Sequence, residues 1–122
     1  MDQIKSTSLV TGRAYTIPGG SDEHALNEFV QSNKGKKIVA VQGLGFVGTV
    51  MSLVVANSDQ DEYAVLGLDL ATSNSYWKIA EINVGICPIV SSDPLVSEFF
   101  ENAKRQENLY ATYDSMAFSY AD

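Results

Sequence analysis

Three closely spaced glycines constrain this chain more than any other feature. Gly43, Gly45 and Gly48 stand in the spacing G-x-G-x-x-G and follow the apolar run 38–41. An apolar stretch of helical length, 46–56, comes directly after the first two of them. A strand, a glycine-rich turn and a helix in this order predict the opening of a βαβ unit in a parallel sheet.

Each part of this turn has a distinct predicted role. Gly43 lets the chain turn sharply out of the strand, Gly45 lets a pyrophosphate approach the backbone, and Gly48 lets the helix pack against the strand. The free N–H groups of Phe46 and Val47 lie at the helix start, where the positive end of the helix dipole favours phosphate. We therefore predict that these five residues bind the pyrophosphate of a dinucleotide.

An acid at the end of the next strand completes the pattern. Residues 63–68 form a second strand-like run, and Asp69 follows it, 21 residues after Gly48. An acid that binds the adenosine ribose is expected at an offset of about 20 residues. Its carboxylate would repel a 2′-phosphate, which predicts NAD rather than NADP as the cofactor. The alternative is a βαβ unit whose glycines serve tight packing only.

Charge and composition exclude several other classes of protein. The net charge of −7 leaves no basic face for nucleic acid and disfavours an anionic membrane. A single cysteine, Cys87, excludes an internal disulfide and a cysteine-based metal cluster. Because the start lacks a signal-peptide pattern and no apolar run is long enough to span a membrane, we expect a cytoplasmic protein. We expect no role for Cys87 or for the lone histidine, His24.

The remaining pattern predicts an α/β chain. Residues 1–20 are predicted as an extended arm or weak hairpin with β character at 9–10 and 15–17, and 21–33 as a helix capped by Ser21 or Asp22. The helix after the glycine turn is apolar nearly all round, so we expect it to be covered on more than one side. Two further strands are predicted at 63–70 and 109–112.

Three further helices are predicted between and after these strands. The first is capped by Thr72 or Ser73 and ends at Gly85, and the second begins at Asp93-Pro94 with the inner stripe Leu95, Phe99 and Ala103. The third is short and is capped by Asp114.

Two segments follow from this reading. Residues 1–35 form an N-terminal arm and helix, and 36–122 form a Rossmann-like domain with a parallel sheet flanked by helices. The domain is predicted to be truncated at its C-terminal end, so that the sheet has an uncovered edge. We expect either a homo-oligomer formed through that edge or capping of an edge by residues 1–20.

The order of the later segments resembles the N-terminal domain of the UDP-glucose/GDP-mannose dehydrogenase family. The resemblance covers about residues 36–122. The matching segments are G-L-G-F-V-G at 43–48, V-L-G-L-D at 65–69, N-V-G at 83–85, P-I at 88–89, D-P at 93–94 and T-Y-D at 112–114.

This resemblance implies the NAD-binding part of an oxidoreductase of polysaccharide biosynthesis, which oxidises the C6 alcohol of a nucleotide sugar. In the family, the catalytic cysteine and the sugar-nucleotide site lie in later domains. We therefore assign no catalytic residue here, and we do not expect activity from these 122 residues alone. Family members usually carry Lys or Arg at the position of Asn74, close to the adenosine. We include Asn74 in the cofactor site, expect weaker NAD binding because of it, and do not favour Lys78 as its substitute on sequence grounds.

Two other functions stay open at this point. The chain is alternatively a stand-alone regulatory module that binds a dinucleotide, or a Rossmann domain that binds none and serves as an interaction surface.

Overall fold

A computed structural model describes residues 4–122 and shows an α/β fold with two separate sheets. Strands β1 and β2 pair as an antiparallel hairpin, and the parallel strands β3, β4 and β5 form a second sheet in that order. The elements are β1 (Lys5–Thr7), β2 (Ala14–Thr16), α1 (Glu23–Ser32), β3 (Lys37–Gln42), α2 (Phe46–Ala56), β4 (Tyr63–Leu68), α3 (Tyr76–Val84), α4 (Pro94–Gln106), β5 (Leu109–Thr112) and a 3-10 helix (Ser115–Tyr120). This partial Rossmann-like arrangement confirms the predicted fold class. No helix within residues 4–122 is long and apolar enough to cross a membrane.

The parallel sheet has β4 at its centre. It pairs with β3 from Lys37–Tyr63 to Gln42–Leu68, and with β5 from Val65–Leu109 to Leu68–Thr112. The crossovers from β3 to β4 and from β4 to β5 both advance across the sheet in the same direction. Because such crossovers are right-handed, their helices α2, α3 and α4 lie on the same face of the sheet. The main core forms there, from Leu44, Leu53, Ala56, Val65, Ile79, Ile82, Phe100, Ala103 and Ala111.

The opposite face is covered by α1 and the 3-10 helix. Leu26 of α1 is completely buried and packs in a cluster with β-strand side chains and Ala117. At the start of α1, the Asp22 carboxylate accepts hydrogen bonds from the hydroxyls of Tyr110 (2.8 Å) and Thr112 (2.6 Å). Asp22 therefore stands at the predicted cap position, but its side chain binds β5 instead of capping its own helix. The other predicted cap, Ser21, accepts a hydrogen bond from the N–H of Glu23, the first residue of α1 (3.0 Å).

Asp114 joins the starts of two helices. Its carboxylate accepts hydrogen bonds from the N–H groups of Met116 and Asp22 and from the Ser21 hydroxyl. These donors hold the pKa of Asp114 below its usual range. The predicted cap at Asp114 is confirmed, and the helix that it caps is a 3-10 helix.

The N-terminal arm is a hairpin, but not in the predicted place. Its strands are Lys5–Thr7 and Ala14–Thr16, and Leu9 lies in the turn with 89% of its surface exposed. The hairpin packs on α3 rather than along the parallel sheet, so the predicted capping of a sheet edge by the arm is wrong. Residues 1–3 of the predicted arm lie outside the described residues.

One prediction about a helix face is confirmed and another is wrong. Helix α2 is covered on more than one side, by the parallel sheet and by α4, but it still exposes an outer stripe formed by Val47, Met51 and Val54, which are 73%, 52% and 51% exposed. In α4, Leu95 is exposed because the inward face is set by residues 96, 99, 100 and 103, at the helical spacing i, i+3, i+4, i+7. Leu95 lies one position off that stripe.

Each edge of the parallel sheet is partly occupied by a side chain of the same protein. The Asn83 amide donates to the Ala111 carbonyl (2.8 Å) and accepts from the Ala111 N–H (2.9 Å), as a neighbouring strand would. On the other edge, the N–H of Asp122 donates to the Ile38 carbonyl (3.0 Å) and its carboxylate accepts from the Ile38 N–H (2.7 Å). These contacts satisfy backbone groups that an open edge leaves free.

Replacing Asn83 with alanine should destabilise the fold. The change leaves the buried N–H and carbonyl of Ala111 without their partner, and we expect the free energy of unfolding to fall by about 1–3 kcal/mol. Urea denaturation followed by circular dichroism measures this. Val84→Ala, on the neighbouring exposed position, is the control and should change the free energy by less than about 0.5 kcal/mol. Equal stabilities of the two variants would contradict the proposed edge contact.

The exposed α2 stripe and the adjacent β3 edge still predict self-association. Val47, Met51 and Val54 follow the spacing i, i+4, i+7 of a helix–helix contact, and α2 carries no charged residue in a chain of net charge −7. We expect light scattering to show a dimer or larger species that Val54→Lys converts to monomer. Leu9→Lys, an equally exposed apolar residue on the hairpin, should not. A monomeric wild-type protein at high concentration would refute this prediction.

Candidate functional site

The glycine turn brings the start of α2 directly against the end of β3. Gly43 has φ +92°, a left-handed conformation that glycine adopts without steric cost. A β-carbon built on Gly48 would lie 1.7 Å from the Gly43 carbonyl oxygen, so that contact excludes any side chain at this position. A β-carbon on Gly45 would meet nothing within 4 Å among residues 4–122. The backbone at Gly45 is therefore open to a ligand.

The first amides of α2 lie free at the start of the helix. Gly45 is the N-cap residue, and no side chain of the described chain caps the helix. The first helical bond of this turn runs from Thr49 N–H to the Gly45 carbonyl (3.0 Å), so the N–H groups of Phe46 and Val47 have no helical partner. An open groove of about 500 Å³ lies along the turn, lined by residues 41–43, 45–48 and 51. A phosphate placed there would meet free donors at the positive end of the helix dipole.

Asp69 lies beside this turn at the end of β4. One oxygen of its carboxylate accepts a hydrogen bond from the Leu44 N–H (2.9 Å), and the other accepts from the Leu70 N–H (2.8 Å). Its side chain is 13% exposed. A carboxylate has about four lone-pair sites, so two backbone bonds leave capacity for the hydroxyls of a ribose.

Leu44 is a residue of this site that the sequence analysis did not assign. It is completely buried, and a β-carbon on Gly67 of β4 would lie 2.8 Å from its side chain. The hydroxyl of Thr49, also buried, donates to the Leu44 carbonyl (3.0 Å). Leu44 thus holds the turn against the middle strand. The sequence did contain a signal for this contact: an apolar residue, Leu44, stands inside the glycine turn, and a glycine, Gly67, stands near the end of the next strand.

Lys78 is the cation nearest to the Asp69 carboxylate among residues 4–122. Its ammonium nitrogen lies 3.8 Å from an Asp69 oxygen and 5.9 Å from the centroid of the Trp77 ring. Asn74 is exposed in the loop after β4, and its backbone carbonyl accepts a hydrogen bond from the Trp77 indole N–H (3.0 Å). The structure therefore brings Lys78, which sequence reasoning did not favour, to the predicted ribose site.

The other reactive side chains lie apart from this site. The His24 side chain is 91% exposed and contacts Glu28 on the same helix. Cys87 is half-buried, and burial raises the pKa of its thiol, which disfavours the nucleophilic thiolate. Residues 4–122 contain no group of three or more His, Cys, Asp or Glu side chains that could hold a metal ion.

One solved structure has a similar fold. It is the crystal structure of NDP-N-acetyl-D-galactosaminuronic acid dehydrogenase from Methanosarcina mazei Go1, with a TM-score of 0.58 and 24% identity. The similar region covers 73% of this chain but 18% of that protein, so the present chain corresponds to a small part of its length. No family model matches the chain, and no curated protein sequence matches it significantly. At this identity the similarity establishes a shared fold, and that fold is the one expected from the sequence resemblance.

Two alanine substitutions in the turn should have unequal effects on folding. Gly48→Ala places a β-carbon onto the Gly43 carbonyl, so we expect the free energy of unfolding to fall by roughly 3 kcal/mol. Gly45→Ala meets open space at an ordinary backbone conformation and should change it by less than about 1 kcal/mol. Thermal and urea denaturation of the two variants test this. A Gly48→Ala protein as stable as the wild type would contradict the close contact.

Proposed function

We propose that this chain is the NAD-binding part of a cytoplasmic nucleotide-sugar dehydrogenase of the UDP-glucose/GDP-mannose type. The observation that carries the proposal is the hydrogen bond from the Leu44 N–H to the Asp69 carboxylate. That bond joins the predicted phosphate-binding turn to the predicted ribose-binding acid. The two halves of a dinucleotide-binding site are thereby adjacent, which a purely structural βαβ unit does not require.

The residues present fit an adenine dinucleotide. Gly45 and the N–H groups of Phe46 and Val47 would hold the pyrophosphate, and Gly43 and Gly48 shape the turn that presents them. Asp69 would hold the adenosine ribose, with Lys78 and the exposed Asn74 on the adenosine side. When bound, NAD supplies the hydride acceptor for oxidation of an alcohol.

We infer a preference for NAD over NADP, moderated by Lys78. The Asp69 carboxylate opposes the 2′-phosphate of NADP by like-charge repulsion. The Lys78 ammonium, 3.8 Å away, offsets part of that charge. The ratio of NAD affinity to NADP affinity should therefore be smaller than an isolated acid would produce. It should increase when Lys78 is neutralised.

The dehydrogenase part of the proposal rests on two supports. One is the ordered set of sequence matches from the glycine turn to T-Y-D at 112–114. The other is the shared fold with a protein named as an NDP-N-acetyl-D-galactosaminuronic acid dehydrogenase. We assign no catalytic group to residues 4–122, so the sugar nucleotide and the groups that react with it belong to other parts of the complete enzyme. Polysaccharide biosynthesis is the process in which such an enzyme acts.

A second candidate function is supported by the exposed α2 stripe. Val47, Met51 and Val54 form an apolar surface of the kind that marks protein–protein contacts. A Rossmann domain that binds no dinucleotide and serves as an interaction surface would retain this stripe. Nucleotide titration separates this candidate from NAD-binding proteins, whether dehydrogenase parts or regulatory modules.

Titration calorimetry with NAD and NADP tests the proposed function. We expect saturable NAD binding by the wild-type chain and at least about tenfold weaker binding by Gly45→Val, whose side chain would fill the space in front of the turn. Lys78→Gln should weaken NADP binding more than NAD binding. Glu98→Gln, an exposed change on α4, is the control for general effects of charge removal. Absence of saturable NAD binding by a folded wild-type protein would refute the proposal and favour the interaction domain.

A further inference from the structure

The hairpin formed by β1 and β2, residues 5–16, is attached to α3 by a buried acid. Glu81 lies in the middle of α3 and is completely buried. Within residues 4–122, its carboxylate accepts hydrogen bonds from the hydroxyls of Ser8 (2.9 Å), Thr11 (2.6 Å) and Tyr15 (3.0 Å). All three donors belong to the hairpin, so without it Glu81 would lose every one of these partners. A buried carboxylate is costly unless hydrogen-bonded, which makes this contact specific for the docked hairpin.

Tyr15 and Ser8 fix the hairpin side of this contact. The phenol of Tyr15 is protonated at neutral pH and donates to Glu81, and burial and the Glu81 carboxylate raise its pKa further. The turn between the strands is ordered by Ser8, whose hydroxyl oxygen accepts from the N–H groups of Val10 and Thr11. The hairpin therefore presents its hydroxyls to α3 in a fixed arrangement.

A second contact joins the hairpin to the start of α3. The hydroxyl of Ser6, a completely buried residue, accepts a hydrogen bond from the Trp77 N–H (2.9 Å) and donates to the Ser73 carbonyl (2.8 Å). Ser75 is the N-cap residue of α3 but makes no side-chain cap within the described chain. Ser6 thus caps α3 from a distant part of the sequence, and it links the helix to the preceding 70–75 loop.

The helix start and the loop that Ser6 joins form the adenosine side of the candidate site. Trp77 is buried, and its indole N–H holds the backbone carbonyl of Asn74. Lys78 follows Trp77 and lies beside Asp69. Ser6 is therefore connected through Trp77 to both Asn74 and Lys78.

We propose that the hairpin is a positioning element for the adenosine half of the dinucleotide, acting through Ser6 and Glu81 on the 70–75 loop and Lys78. The expected effect of the hairpin on nucleotide affinity rests on the proposed NAD site. Its structural part, the ordering of the 70–75 loop by the hairpin, does not depend on any ligand. Neither Ser6 nor Glu81 lines the groove at the glycine turn, so each would act through other residues.

Hydrogen exchange and nucleotide titration on the same variants test the proposal. In Ser6→Ala we expect faster amide exchange in 70–78 without a change in β3–β5, and NAD and AMP affinities that fall together by about two- to tenfold. Glu81→Gln should also speed amide exchange in the hairpin, because a glutamine amide cannot accept hydrogen bonds from all three hydroxyls as a carboxylate does. Thr7→Ala, an exposed change on the same strand as Ser6, is the matched control and should match the wild type in every measurement.

The outcomes separate this inference from the proposed function. If the variants are folded and Ser6→Ala leaves loop exchange and AMP affinity unchanged, the positioning role is refuted. If exchange rises throughout the parallel sheet as well, Ser6 serves general stability and the inference also fails. If the wild-type chain binds neither NAD nor AMP, the proposed function fails, and the exchange data alone then decide whether the hairpin orders the loop.

Discussion

The contact between Gly48 and the Gly43 carbonyl is the constraint on which the rest of the structure depends. No side chain fits between them, so α2 starts directly on the end of β3. From that start, α2 lies over β4, where Leu53 and Ala56 complete the main core. The same contact leaves the first amides of α2 at the edge of the sheet beside Asp69. Core packing and the geometry of the proposed phosphate site therefore have one structural cause.

Five carboxylates in this acidic chain serve as internal hydrogen-bond acceptors. The chain has 15 acidic and 8 basic residues, and several of its acids join segments far apart in sequence through hydroxyl or backbone N–H donors. Such contacts need no cation, because hydroxyl and N–H donors satisfy the carboxylate. The acids that act in this way are Asp22, Asp69, Glu81, Asp114 and Asp122. The few ion pairs within residues 4–122 are therefore compatible with a well-connected fold.

Local sequence signals were sufficient where the physical cause is local. The glycine turn, the Asp93-Pro94 helix start and the Gly85 helix end were all predicted from neighbouring residues, and the structure confirms each of them. Prediction was wrong where a distant segment supplies the partner. Asp22 binds β5 rather than its own helix, and Ser6 rather than Thr72 or Ser73 caps α3. A hydroxyl some 70 residues away leaves no periodic or local signal in the sequence.

The sequence by itself determined the βαβ order, the position of the glycine turn and the acid at the end of the second strand, because glycine spacing and apolar periodicity act over a few residues. The tertiary structure alone decided which groups meet at that turn. It brought Leu44 and Lys78 to Asp69, placed the hairpin on α3 through Glu81, and left one side of α2 exposed. These outcomes depend on the relative placement of whole elements, which burial and hydrogen-bond satisfaction settle only once the chain has folded.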